Sequence, residues 1–145
     1  RPEVNADRLG LVGTSLGSIV GANVAAAEPR LKNVCLLLPG GGLVDAFYDH
    51  PLAKPYRAVL DLIGAKNTLK RLIAPLDPLT YAPQLKQRNL LMLAASRDDV
   101  VPPSAARALW EASGRQKIVW FDATHVGAAI YVLPALRELT EHVSR

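Results

Sequence analysis

The chain has 145 residues, half of them hydrophobic and 21% charged, with 17 basic against 13 acidic residues and a formal net charge of +4. This is the composition of one globular unit with enough apolar residues for a core, which excludes a disordered chain. The basic residues are scattered, with no run of five or more and no interleaved aromatics, so nucleic-acid binding is not expected.

No uninterrupted apolar stretch approaches the roughly 18 residues that span a bilayer, so no membrane segment is expected. Cys35 is the single cysteine, set in Val34-Cys35-Leu36-Leu37-Leu38, so an intrachain disulfide is excluded and a buried thiol is predicted. The chain opens at Arg1 without an initiator methionine and almost directly on a core strand pattern, so further chain is expected upstream, including any signal peptide.

In chain order, Arg8-Leu9-Gly10-Leu11-Val12-Gly13 is a short apolar run bounded by glycine, as in a strand buried on both faces of a parallel sheet. A helix over residues 16–27 follows at once. It is small and apolar almost all round, so it is predicted to lie against the sheet. Pro29 closes it, and a second strand is predicted over residues 31–38, ending in Pro39-Gly40-Gly41-Gly42. From residue 43 to about 83 the pattern changes to amphipathic helical pieces broken by five prolines, which reads as a helical insert or lid. Within it, Lys66, Lys70 and Arg71 fall on one exposed face. A third strand is predicted over residues 89–96, followed by a helix with Pro102-Pro103 in its first turn and Gly114 at its end. Residues 117–121 make a fourth strand, and a last helix runs from about 127 to 143. Strand and helix thus alternate four times. The implied fold class is α/β: a parallel sheet flanked by helices on both faces, with the insert after the second strand.

The chemistry-bearing motif is Gly13-Thr14-Ser15-Leu16-Gly17, placed between strand and helix. The turn there is tight, and side chains at Gly13 and Gly17 are expected to collide with strand and helix as they fold back. The Ser15 hydroxyl then stands clear, and the first N–H groups of the helix, beginning at Leu16, point to where an oxyanion would form. The plainer reading is a serine that caps the helix. A nucleophilic serine requires a base, and the base an orienting carboxylate. His125 lies between the fourth strand and the last helix, and Asp98 follows the third strand at the same sheet edge. His50 in the insert and His142 near the end of the last helix are secondary candidates, the latter placed where a cation favours the helix dipole. Of the adjacent pair Asp98 and Asp99, one is expected to face the histidine, leaving Asp99 to bond locally before the helix. Phe47, Tyr48 and Tyr56 could line a substrate pocket or simply pack the insert. Ser18, in the first turn of the helix, is expected to affect helix packing more than chemistry.

These residues resemble the alpha/beta-hydrolase family, in particular its esterase, dienelactone-hydrolase-like and prolyl-oligopeptidase-like branches. Asp7 to Gly17 is similar to the family's fifth strand and nucleophile elbow. Ser96-Arg97-Asp98-Asp99-Val100-Val101-Pro102 resembles the segment after its seventh strand, where the acid precedes a Val-Pro by two residues, and Phe121 to Gly127 resembles its histidine loop. The order Ser15, Asp98, His125 is the order that fold uses. Asp45 is an alternative acid, since some members place it after the sixth strand.

The resemblance covers nearly the whole chain but maps onto the C-terminal portion of a single hydrolase domain, lacking its N-terminal strands. It implies a serine hydrolase for small-molecule esters, ahead of amides, working through an acyl-enzyme. In that reading Ser15 is the nucleophile, His125 the base, Asp98 the acid and Leu16 N–H an oxyanion donor. No metal or organic cofactor is implied. The expected partner is the N-terminal half of the domain, with the second oxyanion donor and the strand that covers the first strand's edge, so residues 1–145 alone are expected to have little activity. The alternatives are a non-catalytic hydrolase-like binding module and an inactive fragment.

Overall fold

The structure, a computed structural model, describes residues 9–143. Four strands, β1 (Gly10–Thr14), β2 (Asn33–Leu37), β3 (Asn89–Ala95) and β4 (Lys117–Phe121), form one parallel sheet in chain order. Gly10 lies opposite Asn33, Asn33 opposite Asn89, and Leu91 opposite Lys117. The predicted start of the first strand at Arg8 lies outside the described residues. The second strand is shorter than its apolar run, because Leu38 adopts a positive φ of 50° and turns the chain away from the sheet.

The helices are α1 (Leu16–Ala27), α2 (Leu43–Asp49), α3 (Lys54–Leu62), α4 (Ala65–Ile73), α5 (Pro78–Leu85), α6 (Pro103–Ala112) and α7 (Val132–Val143). A 3-10 turn, Pro51–Ala53, joins α2 to α3. The last helix begins later than its sequence pattern predicts, since Gly127–Tyr131 winds as 3-10 turns before α7.

The sheet grows in one direction by right-handed crossovers, which places every crossover helix on the same face. Accordingly α1, α5 and α6 bury that face through Ala22, Ala25, Ala82, Leu85 and Leu109 against Val34, Leu36, Leu90 and Met92. On the opposite face α7 lies over β2 and β3, where Ala135 packs with Cys35, Leu91 and Leu93. Beside β1 no described element covers that face, and Val12 is 55% exposed.

The segment between β2 and β3 is helical, but its parts differ. α5 belongs to the body, with Ala82 and Leu85 fully buried. α2 packs against α6 and buries Val44 and Tyr48. α3 and α4 bury no residue. Asp77 ties the two ends of the segment together. Its Oδ1 accepts from Gly42 N at 2.8 Å and Leu79 N at 3.0 Å, and its Oδ2 from Leu43 N at 2.7 Å, so one carboxylate caps both α2 and α5. Among the described residues no helix is long and apolar enough to cross a membrane.

Candidate active site

Ser15 sits at the apex of the β1–α1 turn with φ 54° and ψ −118°, a conformation that L-residues rarely adopt. Its neighbours hold it there. Ser15 N donates to Leu37 O at 2.9 Å, and the fully buried Ser18 hydroxyl donates to Ser15 O at 2.6 Å. Gly13 is obligatory, since a Cβ there would lie 2.3 Å from the carbonyl oxygen of Gly17. The same expectation for Gly17 is corrected: a Cβ on Gly17 meets no atom of the described residues within 4 Å, because it points outward from the helix's first turn. Ser15 itself makes no side-chain cap bond to α1. Its Oγ instead lies 2.8 Å from His125 Nε2, 110 residues away.

His125 is carried by the loop after β4, and Asp98 by the loop after β3. His125 Nδ1 lies 2.9 Å from Asp98 Oδ1 and 2.8 Å from Oδ2. The Asp98 side chain is 2% exposed and that of His125 14%. A buried carboxylate acting as acceptor assigns the proton to Nδ1 and leaves the Nε2 lone pair towards Ser15. Asp98 is fixed in turn by Val100 N at 2.9 Å and Val101 N at 2.8 Å, both donating to Oδ1. Leu16 opens α1, so its N–H has no acceptor within the helix and lies next to Ser15. Thus the structure brings together Ser15, His125, Asp98 and the Leu16 amide.

The remaining candidates fall elsewhere. Asp45 pairs with Lys70 at 2.7 Å and Lys66 at 3.1 Å, and the Lys70 hydrogen bond holds its carboxyl below the ordinary range. Lys66 and Lys70 are therefore bonded to α2 and do not form a merely solvated face. Asp99 does not bond locally as expected. Asp98 makes the local turn bonds, while Asp99 Oδ1 accepts from His125 N at 3.2 Å. Tyr48 is buried beneath Lys66, whose Nζ is 4.8 Å from the ring centroid, whereas Phe47 and Tyr56 are 48% and 62% exposed. None of the three lines the space at Ser15. His142 is buried, with Nε2 2.9 Å from Asn89 O, so it ties α7 to β3 and does not sit in solvent at a helix end.

One clamp had no sequence signal. Arg97 Nε lies 2.7 Å from Asp122 Oδ1, and the Arg97 guanidinium also donates to Asp122 O at 3.1 Å. It joins the β3 loop to the β4 loop, and the two partners are 25 residues apart with no local motif. A groove of about 600 Å³ opens beside Ser15 and His125 and runs between α7 and the open sheet face, lined by Val12, Leu37, Leu38, Val126, Leu136 and Leu139.

No protein-family model matches the chain. Two uncharacterised proteins of Mycobacterium tuberculosis strains are 27% identical over 120 residues, which is 82% of this chain and 28% of theirs. The chain therefore spans little more than a quarter of those relatives. Among solved structures, a puromycin hydrolase superposes with a TM-score of 0.73 at 19% identity, over 99% of this chain and 22% of its own. The acylaminoacyl peptidase of Pyrococcus horikoshii superposes at 0.71 and 17%, over 97% and 23%. Acetyl xylan esterase 1 of a Thermoanaerobacterium species gives 0.61 and 25%, over 96% and 48%. The fold is that of the alpha/beta-hydrolases.

Proposed function

We propose that the protein is a serine hydrolase that cleaves carboxylic esters through an acyl-enzyme. The observation that carries this reading is the unbroken hydrogen-bond series from Ser15 Oγ through His125 to the buried Asp98. In the reaction Ser15 Oγ attacks the ester carbonyl and His125 Nε2 takes its proton. Asp98 stabilises the imidazolium so formed. Leu16 N–H donates to the tetrahedral oxyanion, and His125 returns the proton to the departing alcohol. Water, activated by the same histidine, then releases the acid.

Esters are preferred to peptides because the side chains around Ser15, Leu38 and Val126 among them, are apolar and offer no charge to hold a peptide terminus. We further propose that a segment preceding Arg1 supplies the second oxyanion donor. An aryl ester and a fluorophosphonate probe test both points. Labelling of the natural full-length protein is expected and is lost in Ser15→Ala. A folded full-length protein that takes no label points to the binding module instead. Residues 1–145 alone are expected to turn over the ester far more slowly than the longer protein, and equal rates would contradict the second donor.

A further inference from the structure

We propose that His50 is a positioning residue that ties the helical insert to the loop bearing Asp98 and, through Asp99, sets where His125 stands. The proposal rests on the serine-hydrolase reading. His50 follows α2 and precedes the 3-10 turn at Pro51, the point from which α3 and α4 project. Its ring is used at both nitrogens. Nδ1 accepts from Leu52 N at 3.2 Å, so Nε2 carries the proton and donates it to the backbone carbonyl of Asp99 at 3.1 Å, 49 residues away.

Asp99 passes this restraint on. Its carbonyl is held by the insert, while its side chain Oδ1 holds the backbone N–H of His125 at 3.2 Å. On the other side of the same peptide, Asp98 Oδ1 is held by the amides of Val100 and Val101. The 99–100 peptide is therefore held at both its groups, its carbonyl by His50 and its N–H by Asp98 Oδ1, while the Asp99 side chain is tied to His125 N, and His50 supplies the only one of these bonds that comes from the insert among the described hydrogen bonds. A shift of the peptide by a fraction of an ångström moves both the carboxylate and the loop of the base, and reacting groups tolerate little misplacement. A half-buried histidine between α2 and the 3-10 turn that acts only as a cap needs no more than the Leu52 bond. The bond to the Asp99 carbonyl is what distinguishes positioning from capping.

Two substitutions separate the two bonds. His50→Asn keeps an acceptor for Leu52 N but is too short to reach Asp99, whereas His50→Gln extends a donor to that carbonyl. The readouts are the rate of fluorophosphonate labelling of the full-length protein and the downfield proton resonance of His125 Nδ1–H. In His50→Asn labelling is expected to slow by about five- to tenfold, the effect of one lost hydrogen bond, and the resonance to broaden. His50→Gln is expected to recover most of both. An unchanged rate and resonance in His50→Asn, or equal losses in the two variants, overturns the proposal. Should His50→Asn fail to fold, Asp99→Ala cuts the next link, leaving the carbonyl in place. Broadening is again expected, and an unaltered resonance overturns the proposal. The hydrolase reading fails separately: a wild-type protein that shows the resonance but takes no label loses that reading, while the resonance still decides the role of His50. A wild type with neither signal overturns both.

Discussion

At Gly13 and Gly17, two residues that look equivalent in the sequence have opposite roles in space. Gly13→Ala forces a Cβ against the Gly17 carbonyl at 2.3 Å, so the turn must open and the label at Ser15 is lost. Gly17→Ala meets no atom among the described residues and exchanges a poor helix former for the best, so the stability of residues 1–145 is expected to rise by about 0.5 kcal/mol, as read by urea denaturation. Cys35 gives a second test. Burial pushes its thiol up to about 11 from an ordinary value of 9.0. The folded protein therefore holds the proton that the unfolded chain releases, so stability is unaffected below 9.0 and falls as pH rises from there towards 11. Urea midpoints across this range should decline more for the natural protein than for Cys35→Ala, and alkylation of the thiol should be slow until denaturant is added. Ser15 and His125 were legible because a motif or a loop between two elements marks each. Which of Asp98 and Asp99 turns inward was only weakly legible, and what the other one holds was not, because that depends on a loop arriving from 26 residues further on.

Among the elements, the insert carries the least packing. α3 and α4 bury no residue, and Leu62 and Leu72 are 86% and 68% exposed. Trypsin should therefore cut first after Arg57, Lys66, Lys70 or Arg71, ahead of sites in α6 or α7. Asp45 joins α4 to α2 by two exposed ion pairs, so Asp45→Asn is expected to lower global stability by less than about 1 kcal/mol while quickening those cuts. The pH dependence has a defined sign. The folded carboxyl is depressed, so its contribution is present above the ordinary value of 3.8 and is lost as pH falls through the lowered one. The strands were legible as compact apolar runs and the insert as proline-broken amphipathic pieces. The assignment of α5 to the body was not, because Ala82 and Leu85 differ little in pattern from the apolar residues of α3 and become core only by meeting α1.

On the scale of the molecule, alternation of strands and helices predicted the parallel sheet and helices on both faces, and both are present. How unevenly the faces are covered was not legible, since it follows from the direction in which the strands are laid down. With every crossover on one side, the other side has only α7, and β1 has one neighbour among the described residues. The functional groups are divided by this arrangement. Asp98 follows β3, a strand with neighbours on both sides and six buried residues, whereas Ser15 stands at the tip of β1, which has one. Opening of β1 alone would withdraw the serine and leave the acid and base in place. Residues 1–145 should therefore lose their label at a lower urea concentration than the one that removes helical circular dichroism, and a segment paired along β1 should bring the two midpoints together. In such a molecule the chemistry melts before the protein does.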